Sequence, residues 1–136
     1  MAVGRDYVAL DWVSGEINAT LEEACRALEA FVADPQDTTR LRFCLSYVHQ
    51  VQGTLRMVEF HGAALLAREI ELLGQALLAG EIDDSAEALE ALMAALLQLP
   101  PYLQRVRRAR SDLPESLLAM INELRVTSSR SILVRT

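Results

Sequence analysis

The sequence predicts an all-α protein: an antiparallel up-down four-helix bundle with one or two additional C-terminal helices. Three observations carry that prediction. Apolar residues recur at three- and four-residue steps through nearly the whole chain. Strand-like alternation of apolar and polar residues is absent. The breaks between segments are short, which favours antiparallel neighbours.

The first helix carries Leu10, Val13, Ile17, Leu21, Cys25, Leu28 and Val32 on one face. It ends near Asp34–Pro35, because proline disfavours helical geometry in the residue before it. Asp37 is placed to cap a second helix, whose stripe runs through Leu41, Cys44, Leu45, Val48, Val51, Leu55 and Val58. His61–Gly62 is the expected break or kink. A third helix follows on Leu66, Ile70, Leu73 and Leu77 and stops at Gly80. Asp84 and Glu87 have the spacing of a capping box for a fourth helix, rich in Ala and Leu up to Leu99. Pro100–Pro101 is expected to kink or end it, with Pro101 able to open a new helix over the basic stretch Tyr102 to Arg110. Pro114 to Val126 reads as a last amphipathic helix, with Leu117, Leu118, Ile121 and Leu124. Residues 1–126 therefore read as one domain and 127–136 as a Ser/Arg-rich tail, a linker or the edge of a longer chain.

A 136-residue chain buries enough surface on folding to need neither disulfides nor a metal for its core. All 13 basic residues are arginine, which excludes a phosphate-loop lysine, a Schiff-base lysine and a lysine general base together. With 19 acidic residues the net charge is −6, so neither nucleic acid nor an anionic membrane is an expected partner. No apolar run reaches the roughly 18 residues of a membrane span, and Met1 to Asp6 has no signal-peptide pattern. A cytoplasmic location is expected. Cys25 and Cys44 fall at apolar helical positions and read as buried, reduced thiols.

Few constellations of chemistry survive. The two histidines, His49 and His61, lie in no zinc-binding pattern, and no metal or cofactor is expected. Glu22–Glu23 and Asp83–Asp84 read as solvated or capping carboxylates, and Ser14 and Ser46 have no neighbouring base in sequence. His61 reads as a dipole partner near a helix C-terminus. Arg105, Arg107, Arg108 and Arg110 form the one concentrated positive run. They are either a solvated helix end or a docking patch for an acidic partner. Tyr7, Trp12 and Tyr102 suit core packing and an interface equally. A small-ligand site would need convergent polar core residues, and none cluster.

His49 stands apart. At 100° per residue the second helix buries Leu41, Leu45, Val48, Val51 and Leu55, and His49 falls on a flanking row with Arg42, Ser46, Gly53 and Arg56. A glycine inside a helix costs about 0.5–1 kcal/mol relative to alanine, so Gly53 calls for a steric reason. One turn beyond His49, it removes the side chain that would stand beside the imidazole and lets something large approach the ring.

The segment His49-Gln50-Val51-Gln52-Gly53-Thr54-Leu55 resembles the histidine-phosphotransfer (HPt) motif, HxxKG and a small residue, on the second helix of a four-helix bundle. The stretch from Gly62 to Glu71 is similar to the family's third helix. Tyr47 to Leu55, Met57 to Phe60, Leu99-Pro100-x-Tyr102-Leu103 and the last helix resemble one subgroup more closely. That subgroup is the N-terminal HPt-like domain of the chemotaxis-type hybrid histidine kinase of type IV pilus systems, to which a scaffold protein is related. The resemblance implies that His49 carries a phosphoryl group between a kinase and a receiver-domain aspartate, in a chemosensory system controlling twitching motility. It implies a response-regulator receiver domain, a scaffold protein or the kinase core of a parent chain as partner. Gln52 stands where the motif has lysine, and supplies a hydrogen-bond donor without charge. Arg56, one turn on, is the expected replacement cation. The alternative is a degenerate HPt domain that only docks partners.

Overall fold

Capping chemistry sets several of the helix boundaries. The computed structural model describes residues 7–109 and 120–127. It contains α1 (Tyr7–Ala33), α2 (Thr38–Met57), α3 (His61–Leu78) and α4 (Ser85–Ala109), with residues 120–127 also helical. The Asp37 carboxylate accepts from the Thr39 amide (3.2 Å), and that of Asp84 accepts from the Glu87 amide (3.0 Å), so both expected N-caps are formed.

The ends of α2 and α3 share one design. After α3, Gly80 takes φ +74°, its amide donates to Leu77 and the Glu81 amide donates to Ala76, the paired bonds of a Schellman stop. After α2 the same pattern forms around Glu59. Its amide donates to Arg56 and the Phe60 amide to Leu55, and Glu59 itself sits at φ 64°. A left-handed non-glycine costs about 1–2 kcal/mol. The offset comes from Phe60, fully buried beside the equally buried Leu55, the hydrophobic pair that accompanies this motif.

The helices neighbour one another in the cycle α1–α2–α3–α4–α1, which closes a four-cornered bundle. Their directions follow from pairs at matching heights. Glu16 and Thr54 line one groove between α1 and α2, and Glu23 and Tyr47 line another; Asp11 pairs with Arg107. The bundle is antiparallel and up-down, as the sequence predicts. Residues 120–127 add a fifth helical element: Ile121 and Leu124 are buried, and Arg125 reaches Glu69 of α3 at 2.8 Å.

Several expectations change. Helix α4 runs through Pro100 and Pro101 without ending, because Leu99, Tyr102, Leu103 and Val106 all bury on the core face. That packing outweighs the two missing amide donors. The break before α3 lies at Val58–Phe60, so His61 opens α3 and Gly62 is buried within it. His61 is therefore at a helix N-terminus, the wrong end for the dipole role expected from sequence. Val32 is exposed and Cys25 only partly buried. Tyr102 is core and Trp12 is 84% exposed. Leu117, Leu118, Arg110 and the tail beyond Thr127 lie outside the described residues, as does the Tyr7 side chain. No helix among the described residues is long and apolar enough to cross a membrane.

At Gly74 of α3 the glycine is required by packing. A Cβ built there would lie 2.2 Å from Leu45 Cδ2, so α3 meets α2 with no side chain at that point. Gly74→Ala is expected to cost about 1–3 kcal/mol, read from the urea midpoint, with Leu45→Ala in the same chain recovering part of the loss.

Both thiols are free. Burial pushes Cys44 up to about 12, with Cys25 adding to the shift, and burial likewise raises Cys25. A thiol whose folded value is raised stays protonated after the unfolded chain's thiol has ionised, so stability is intact below pH 9 and falls as pH rises toward 12. The thermal midpoint is expected to drop over that window, and Cys44→Ala is expected to make the drop shallower.

Candidate functional site

The site lies along the α2–α3 pair, and its geometry follows from where the turn sits. His49 and Glu71 are each eleven positions from Phe60, so antiparallel helices of equal rise bring them level. The His49 side chain is 72% exposed, while its Nδ1 lies 3.1 and 3.2 Å from the two Glu71 oxygens. Glu71 is only 15% exposed and its carboxylate also accepts from Gln75 Nε2 at 3.3 Å.

This pairing fixes the chemistry of the ring. An ionised carboxylate only accepts, so Nδ1 carries the proton and donates it. The neutral imidazole then holds its lone pair on Nε2, the nitrogen turned away from Glu71. A half-hidden carboxylate thus orients an exposed nucleophile and stabilises positive charge that develops on it.

Around His49 the structure separates the other predicted residues into two groups. Arg42, Ser46 and Gly53 are exposed on the outer side of α2. A Cβ added at Gly53 would meet nothing within 4 Å, so packing within the described residues gives no reason for a glycine there. Gln52 and Arg56 turn toward α3. Gln52 is 7% exposed, the one buried polar residue of α2, and lies with Arg56, His61 and Arg68 along an open groove of about 240 Å³.

The arginine run at the end of α4 is divided. Arg105 and Arg108 are exposed, whereas Arg107 is half-buried and donates from Nε to Asp11 of α1 at 2.8 Å. Part of the expected docking patch thus ties two helices together. Among the described residues no three His, Cys, Asp or Glu side chains gather where they could hold a metal ion.

Glu71, Asp11, Arg68 and the groove position of His61 were not among the candidates read from sequence. Glu71 was visible only as the end of a stretch similar to a family helix. Its pairing with His49 depends on the exact turn, and a turn at His61–Gly62 sets Gly74 opposite His49 instead.

Comparison with known proteins supports the family and the fold. Residues 8–124 match the FimL C-terminal domain family. The scaffold protein FimL of Pseudomonas aeruginosa is 36% identical over 125 residues, covering 92% of this chain and 22% of that protein. The chain thus spans about a fifth of its relative's length. A crystal structure of the phosphorylated P1 domain of CheA3 in complex with CheY6 from R. sphaeroides superposes with a TM-score of 0.79 at 18% identity, over 93% of this chain and 99% of that one. The bundle therefore has the fold of a histidine-phosphotransfer domain.

Two outcomes follow from the geometry. Glu71→Ala is expected to release the ring, so that ¹⁵N shifts of His49 change from a single Nδ1–H tautomer to a mixture. Gly53→Ala is expected to raise stability by about 0.5–1 kcal/mol in urea melts, since the added methyl group enters open space.

Proposed function

The chain belongs to the FimL C-terminal domain family, and from that premise we propose that it is an HPt-like signalling module whose His49 exchanges a phosphoryl group with a receiver domain. The observation that carries this reading is the His49–Glu71 pair: an exposed Nε2 on a ring oriented by a half-hidden carboxylate. Nε2 attacks the phosphorus of an aspartyl phosphate in line, the N–P bond forms, and the P–O bond to the aspartate breaks with the carboxylate leaving. The proton stays on Nδ1, and Glu71 offsets the charge that the ring acquires. The bare surface at Gly53 admits the partner. The setting proposed for it is a chemosensory two-component system controlling type IV pili and twitching motility, with a receiver domain or a scaffold protein as partner.

A docking role without transfer is the second reading. It is favoured by Gln52, which is uncharged and largely buried where the motif has lysine. The relative named as a scaffold protein points the same way.

Transfer of label from a phosphorylated receiver separates the two. Label on the chain that is lost in His49→Gln and kept in His61→Gln is expected. Glu71→Ala should slow transfer by about ten- to a hundredfold, the worth of one charge-assisted hydrogen bond. A folded, partner-binding chain that takes no label from any donor would leave docking alone.

A further inference from the structure

The groove between α2 and α3 gathers positive charge that nothing in the described structure neutralises. Arg56 comes from α2 and Arg68 from α3. Neither arginine side chain makes an ion pair or hydrogen bond among the described residues, although six other side-chain ion pairs do form there. The nearby acidic residues of α3 are already engaged, Glu69 with Arg125 and Glu71 with His49. In a chain of net charge −6, two arginines converging without a carboxylate is the reverse of what random placement gives.

Gln52 is the independent observation. Its side chain is more than nine-tenths buried, lies against the groove and has no hydrogen-bond partner among the described residues. No buried polar atom there is both sealed from solvent and unpaired, so the amide reaches the groove rather than the core. That amide is held at the groove wall with its hydrogen-bonding capacity free for a group bound there. The groove also lies at the start of α3, which has no side-chain cap and presents its positive dipole end.

The geometry points to an oxyanion site for a phosphate-class group. Two arginines lining one groove, one from each helix, match the charge of about −2 of a phosphate monoester better than the single charge of a carboxylate. Their planar forks suit its oxygens, and Gln52 adds a neutral donor. The site is defined by Gln52, Arg56 and Arg68 and stands whether or not His49 is ever phosphorylated. Its phosphate group comes either from His49, one helical turn before Gln52 on α2, or from free phosphate.

Titration of the ¹⁵N-labelled chain with inorganic phosphate, against sodium chloride at equal ionic strength, tests it. Saturable shifts at Gln52, Arg56 and Arg68 are expected with phosphate and not with chloride, in the wild type and in His49→Gln alike. In Arg56→Gln/Arg68→Gln, with helix content checked by circular dichroism, affinity should fall about tenfold per lost guanidinium. Equal effects of the two salts, or unchanged affinity in the double variant, overturn the proposal. A second arm phosphorylates His49 chemically with phosphoramidate before the titration. Loss of free-phosphate binding then assigns the groove to the phosphoryl group on His49, and retained binding assigns it to free phosphate. Failure of His49 to accept label from a receiver leaves the titration unaffected, so this proposal and the preceding reading fail separately.

Discussion

The contact on which the rest of this structure depends is the meeting of α2 and α3 at Leu45 and Gly74. With no Cβ at position 74, the Leu45 side chain fills the space against the α3 backbone. The left-handed stop at Glu59, with Phe60 folded under it, fixes the other end of the hairpin. Held at both ends, the pair has one register. That register sets His49 against Glu71 and Gln52 beside Arg68, so the polar features of the surface are a result of an apolar lock beneath them. Core packing of this kind tolerates little adjustment, because interiors are filled to near crystalline density.

The electrostatic arrangement along the hairpin has two zones. Near the middle, a half-hidden carboxylate holds an exposed imidazole by its Nδ1. Toward the turn, two arginines and an amide share a groove with no acidic residue. On the proposed reading one zone presents a nucleophile and the other receives negative charge, and they lie about one helical turn apart. Where a motif lysine would place its cation on α2 beside the histidine, this chain has charge from α2 and α3 on either side of a neutral Gln52. Guanidinium groups keep that charge at every physiological pH.

Most of the fold was legible in the sequence. Apolar periodicity located all four main helices, and Asp37, Asp84 and Gly80 marked ends that the structure confirms. The misses have a common cause: local rules lost to packing. Two prolines failed to end α4 because four residues around them were already committed to the core. A glutamate took the left-handed stop that glycine usually fills, so the α2–α3 turn was read about two residues late. For the candidate site that small shift mattered. His49, Gly53 and Arg56 were visible from helical angles alone, since they share one helix. Glu71 and Arg68 reach the site across a helix pair, and only the true turn position brings them level with their partners.

Gly74 and Gly53 look alike in the sequence, two glycines inside helices, yet they stand under different steric constraints. At Gly74 a larger residue is acceptable only with a smaller one at position 45, so the two sites form a single mutational unit and drift there must proceed by paired exchange. Gly53 carries no such internal debt to its neighbours. Folding alone would let it change freely, even to advantage, so a reason for glycine at that position has to come from outside the chain.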